Sequence, residues 1–175
     1  MPTHMELVLQ AAAFAAEKHR LLRRKDAEAS PYINHPIQVA YILVRADVED
    51  PVVLASALLH DTIEDTETTH DELEIVFGHE IANIVVECSD NKSLTKLERK
   101  QAQIDHAGHL SKRAKLVKIA DKISNVSDID GAPPAGWSLE RKREYYDWAK
   151  RVVDQMRGVH PKLEARFDAE YAKRP

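Results

Sequence analysis

Apolar residues recur along this chain at helical spacing, in stretches closed off by caps and breakers. Thr3-His4-Met5-Glu6 has the Ser/Thr-x-x-Glu form of a capping box. It opens a helix carrying Leu7, Leu9, Ala11, Phe14, Ala15 and Leu21, predicted to end near Leu22. Residues 23–34 are polar and finish in Ser30-Pro31-Tyr32-Ile33-Asn34, a loop. His35-Pro36 signals a helix with Pro at its first position, turning Val39, Ala40, Ile42 and Leu43 inward. Asp50-Pro51 repeats that signal. The helix it opens, 51–62, is apolar nearly all round and is predicted to be the central buried one.

Thr69-His70-Asp71-Glu72 and Thr95-Lys96-Leu97-Glu98 have the same box form. The first predicts a short helix stopping at Gly78, followed by another over 79–88. The second predicts a polar helix reaching about His109. Ser111 opens a helix through Ile129, and the run Gly131-Ala132-Pro133-Pro134-Ala135-Gly136 is the clearest breaker in the chain. Helices over 138–157 and 161–172 complete the pattern. No stretch alternates with the period of a strand, and there is no internal repeat or linker. The expectation is an all-α bundle of eight or nine helices in a single domain spanning 1–175.

Composition narrows the class. Five glycines and 6% aromatics do not fit a turn-rich β-sandwich, while 43% hydrophobic and 31% charged residues fit a globular chain. The formal net charge of −4 argues against a general nucleic-acid binder, which is more often basic. Basic residues nevertheless cluster at 20–25, 92–100 and 141–143, a distribution that can hold a small anion. Cys88 stands alone, so neither an intrachain disulfide nor a multi-cysteine zinc ribbon is available. No segment approaches a membrane span and the N-terminus lacks a signal-peptide pattern, so no membrane partner and a cytoplasmic location are expected.

The chemistry concentrates in His60-Asp61-Thr62-Ile63-Glu64-Asp65-Thr66, at the end of the most apolar helix. Charged groups beside a core are costly unless paired or bound to a metal. His60 and Asp61 can ligate one divalent cation, with Glu64 and Asp65 a turn further on, in reach of the water it would activate. His35, at a loop-to-helix junction, and Asp121, after the apolar stretch 116–120, are the further candidate ligands. Asn125 and Asp128 share a helical stripe with Asp121. Two imidazoles and two carboxylates suit Mn²⁺ or Fe²⁺, with Zn²⁺ and Mg²⁺ as alternatives. Arg24 and Lys25 would neutralise phosphate oxygens. His79-Glu80-Ile81-Ala82-Asn83 begins like a metalloprotease motif but lacks its second His, and reads as surface helix.

The spaced set His35, His60-Asp61 and Asp121 resembles the metal signature of the HD-domain phosphohydrolase superfamily. Arg23-Arg24-Lys25-Asp26, Pro31-Tyr32-Ile33-Asn34-His35-Pro36, the run 58–66 and Leu116-Val117-Lys118-Ile119-Ala120-Asp121-Lys122 are similar to the hydrolase domain of RelA/SpoT homologues. Gly136-Trp137-Ser138 with Arg141 and Tyr145 resembles the stand-alone Mesh-type members. The resemblance implies an all-α fold and a Mn²⁺-dependent enzyme holding one ion. The implied substrate is guanosine tetra- or pentaphosphate, relieved of its 3′-pyrophosphate to leave GDP or GTP. It implies His35, His60, Asp61 and Asp121 as metal ligands and Glu64 and Asp65 as the catalytic pair. Arg24, Lys25, Lys96, Asn125, Arg141 and Tyr145 would bind substrate. Ser127 and Leu22 depart from the family pattern, where Arg or Tyr and Gln are common, and the change at Ser127 leaves substrate preference open. Removal of the 2′-phosphate of NADPH, or a non-enzymatic nucleotide-binding module, are the alternatives.

Overall fold

The longest helix organises the molecule. In a computed structural model describing residues 2–175, Lys112–Gly131 buries twelve side chains, Lys118, Asp121 and Lys122 among them. In chain order the helices are α1 (His4–Lys18), α2 (Asn34–Arg45), α3 (Pro51–Leu59), α4 (Thr62–Asp65), α5 (His70–Phe77), α6 (His79–Cys88), α7 (Lys96–Ala107), α8 (Lys112–Gly131), α9 (Leu139–Asp154) and α10 (Pro161–Tyr171). Among the described residues there is no β-sheet, and the fold is all-α. These ten helices become nine when the single turn α4 is counted with the helix it continues.

The buried apolar residues fall into two groups. One surrounds α8 and draws on α2, α9 and α10, with Leu43, Ile119, Ile123, Tyr146 and Phe167 fully buried. The other joins α1, α5 and α6 through Ala15, Leu73, Ile81 and Val85. Helix α3 serves both: Val53 and Ala57 face the first, Ala55, Leu58 and Leu59 the second. That double duty is why its sequence is apolar all round.

Several elements differ from the sequence pattern. Helix α1 stops at Lys18, not Leu22, because His19 closes it and the chain turns back through a Leu22 N–H to His19 carbonyl bond of 2.8 Å. Leu21 is 81% exposed and offers no core contact to prolong the helix. Pro36 is the third residue of α2, not the first; its missing N–H falls within the opening turn, whose donors lack helical partners. Thr69 accepts from the Glu72 N–H without the reciprocal half of the box, whereas the boxes at Thr3 and Thr95 are complete. The predicted helix 51–62 is broken after Leu59. There the His60 ring binds the Ala57 carbonyl at 2.7 Å and the Thr62 hydroxyl donates to the Leu59 carbonyl at 2.7 Å. These side chains take over carbonyls that the helical ladder would otherwise use.

Two non-helical segments clasp each other at one end of α8. The Ala135 N–H donates to the Lys25 carbonyl at 2.7 Å, and Asp26 pairs with Pro134 as an isolated antiparallel bridge.

Candidate metal centre and its cleft

Three places in the fold deliver four side chains to one point. The start of α2 supplies His35, the break between α3 and α4 supplies His60 and Asp61, and α8 supplies Asp121. His35 Nε2 lies 3.0 Å from Asp121 Oδ1 and 3.6 Å from Asp61 Oδ2. His60 Nε2 lies 3.2 Å from Asp61 Oδ2 and 3.6 Å from Asp121 Oδ1. Both imidazoles are buried, at 3% exposure each.

The surrounding bonds fix these groups. Nδ1 of His60 donates to the Ala57 carbonyl, so Nε2 is the nitrogen that faces the two carboxylates. That Nε2 is buried and has no hydrogen-bond partner. Nδ1 of His35 meets Ser124 Oγ at 3.1 Å. Tyr32 donates its hydroxyl to Asp61 Oδ2 at 2.7 Å. Asn125 donates to Asp121 Oδ1 at 2.8 Å, and Lys122 Nζ to Oδ2 at 3.2 Å. An orphaned imidazole nitrogen facing two braced carboxylates is a donor set that fits a divalent ion.

Charge is correspondingly displaced. Burial opposes ionisation of Asp121, but Lys122 and the two imidazoles outweigh it and hold the carboxyl well below its usual range. Asp61 is likewise held down, by His60 and His35 against burial. Burial would discharge His60, yet Asp61 and Asp121 together hold it well above its ordinary value.

Glu64 and Asp65 stand beside this group, with oxygens within 4.8 Å of one another and of Asp61. Burial pushes Glu64 up to about 7, although it accepts a 2.6 Å bond from the Asp90 N–H. Asp65 is also raised, by burial and then by the charge of Asp61, with Lys92 3.6 Å away.

The centre opens into a cleft of about 650 Å³, lined by His35, Glu64, Asp65, Arg24, Asn125 and Tyr145 among others. Arg24 is held by Asn125 Oδ1 at 3.2 Å and Asp128 Oδ2 at 2.9 Å. Leu22 and Ser127 both line this cleft. A second recess of about 360 Å³ shares Lys25, Trp137 and Tyr145 with the first and adds Lys96, Lys100 and Arg141. The Arg141 guanidinium stacks 4.3 Å from the centre of the Trp137 ring. Every residue proposed from sequence for metal, catalysis or substrate thus lies at the centre or along these two adjoining recesses.

A family model described as HD domain matches residues 11–147. The chain is 51% identical to the guanosine-3′,5′-bis(diphosphate) 3′-pyrophosphohydrolase MESH1 of Xenopus tropicalis, over 96% of this chain and 94% of that protein. It is 53% identical to the human protein of the same name, over 90% of this chain and 88% of that one. The chain belongs to the HD-domain family, in its MESH1 group. A solved structure of a metazoan orthologue of SpoT, described as hydrolysing ppGpp, superposes on this HD domain with a TM-score of 0.94 at 43% identity. The match covers 99% of this chain and 97% of that one.

Within this HD domain, sequence reasoning passed over several groups that the geometry brings in. Tyr32 braces Asp61, and Lys122 braces Asp121 while sitting 4.4 Å from the Trp148 ring centre. Tyr32 and Lys122 lie inside the segments 31–36 and 116–122, but nothing in the linear sequence assigns them a bracing role. Trp148 is remote in sequence and carries no motif. His19 is buried against Tyr32, with ring centres 4.9 Å apart and both nitrogens unpaired; burial lowers its pKa.

Proposed function

We propose that this chain hydrolyses guanosine tetra- or pentaphosphate at its 3′-diphosphate, releasing pyrophosphate whole and leaving GDP or GTP. We read residues 1–175 as one hydrolase domain using a single manganese ion. The observation that carries the reading is the buried, unpartnered His60 Nε2 among His35, Asp61 and Asp121, beside a raised Glu64 in a cleft that adjoins a basic recess.

His35, His60, Asp61 and Asp121 would hold the ion. When bound, it supplies polarisation of a phosphoryl oxygen and acidification of nearby water. Ser124 and the Ala57 carbonyl hold the outer nitrogens of the two imidazoles, so neither ring can turn away. Glu64, ionised in a site that resists its charge, takes a proton from the attacking water. Asp65 orients that water from the adjacent position on the same turn. Attack at the phosphorus next to the ribose breaks its bond to the 3′-oxygen, which takes up a proton from solvent, and the pyrophosphate leaves with the oxygen of water.

Arg24 faces the cleft with its guanidinium set by Asp128 and Asn125, positioned to meet phosphate charge developing beside the centre. Lys25, Lys96 and Arg141 in the adjoining recess would bind the 5′-phosphates, and Tyr145 lies in the wall between the two. The deciding assay incubates the protein with guanosine tetraphosphate and Mn²⁺, Mg²⁺ or Zn²⁺ and separates the phosphate products. Intact pyrophosphate with Mn²⁺ is expected. Orthophosphate alone, or a higher kcat/KM for the 2′-phosphate of NADPH, would overturn the proposal.

A further inference from the structure

We propose that His70, Glu74 and His79 form a second divalent-metal site, suited to zinc, on the outer face of the α5–α6 hairpin. It shares no residue with the metal centre or with either recess. His70 and Glu74 stand four residues apart on α5 and so project from one face. Gly78, at φ +87°, ends α5 and starts α6 without a connecting loop, which folds His79 back beside Glu74.

The separations match a coordination set. His79 Nδ1 lies 3.0 Å from Glu74 Oε1, and His70 Nδ1 lies 3.6 Å from Glu74 Oε2. One donor atom from each of the three lies within 4.8 Å of the other two. Ligands at ordinary zinc distances in a tetrahedron stand roughly 3.4 Å apart, between the two measured values. The imidazole planes cross at 87°, so the rings meet by edge and do not stack.

Asn83 supplies the outer support. One turn along α6 from His79, it accepts from His70 Nε2 at 2.9 Å, and its Nδ2 lies 2.8 Å from His79 Nε2. For His70 the Asn83 oxygen accepts from the far nitrogen, as partners behind metal-bound histidines do, while the Asn83 amide N–H holds the far nitrogen of His79. Without metal, the His79 Nδ1–H is donated to Glu74. Binding at Nδ1 moves that proton to Nε2, so the Asn83 amide, which donates there without metal, must turn away from His79. The base is rigid, because Leu73 of α5 and Ile81, Ala82 and Val85 of α6 are buried on the opposite side. The ion would tie the two helices together and keep its remaining position for water.

The test counts bound zinc per full-length chain after chelator stripping, reloading and dialysis, for the natural protein, His79→Ala and the pair His70→Gln with His79→Gln. These positions are exposed or half-buried, and circular dichroism checks that each variant folds. Both variants are expected to lose one equivalent, or at least roughly tenfold in affinity for it. The visible band of four-coordinate Co²⁺ should fall in parallel. Equal zinc content and affinity in all three proteins would overturn the proposal. One equivalent in the natural chain and none in the variants would support this site and count against the reading of the metal centre.

Discussion

Glu64 lies in a pocket that disfavours its charge, and its carboxyl is pushed up to about 7 by burial and the nearby acids, against the Asp90 N–H. A group that must be ionised to accept a proton then makes the rate rise with pH. In the pH–rate profile of kcat, an ascending limb is expected at or below about 7, since a cation among the neighbouring carboxylates favours the charged form. Glu64→Gln should keep metal affinity, lose the ascending limb and cost roughly 10²–10⁴ in kcat. An unchanged limb in that variant would assign the proton elsewhere. Linkage has the opposite sign for stability. Between the ordinary value of 4.5 and about 7, the metal-free folded chain keeps a proton at Glu64 that the unfolded chain has lost. This group's contribution is therefore complete below 4.5 and disappears as pH rises to about 7. Tyr32→Phe removes the hydroxyl that donates to Asp61 and should weaken metal binding roughly 10–100-fold, as read by calorimetry. His35, His60, Asp61 and Asp121 were legible in the sequence because each is a ligand-type residue at a helix junction or in an apolar run. Tyr32 and Lys122 were not, because their bracing roles exist only after α2, α3 and α8 have packed.

At the scale of elements, capping chemistry made most helix starts readable. Thr3, Asp50, Thr95, Ser111 and Ser138 each accept the expected backbone N–H. The break after Leu59 was hidden, because no glycine or proline marks it and Ile63 resumes the apolar pattern beyond three polar residues. It is decided by two side-chain bonds to carbonyls, and it turns Asp61 toward His35. The junction of α5 and α6 is decided by backbone geometry instead. At Gly78, with φ +87° and ψ 162°, an added Cβ would meet nothing within 4 Å, so any penalty is conformational. Gly78→Ala should cost about 1–3 kcal/mol in urea unfolding with an unchanged m-value. A neutral result would mean that the hairpin relaxes to a different turn.

Across the whole molecule, the metal centre joins segments far apart in the chain, and α8 connects it to the larger core. An ion that binds only the folded state adds about 2.7 kcal/mol at a free concentration 100 times its Kd. For a chain of this size, Mn²⁺ at that level should raise the melting temperature by ~5–10 °C. Asp121→Ala should abolish the shift together with turnover; a shift that persists would move the ion to other ligands. The two recesses share Lys25 and Trp137, and the segments bearing these residues meet through the Ala135–Lys25 bond and the Asp26–Pro134 bridge. His35 and Asp121 are mounted on α2 and α8, whereas the backbone bonds of this part of the rim join irregular segments, with Arg24 tied to Asp128 of α8. Widening the doorway for a bulky guest therefore disturbs a latch and leaves the anvil where it stands.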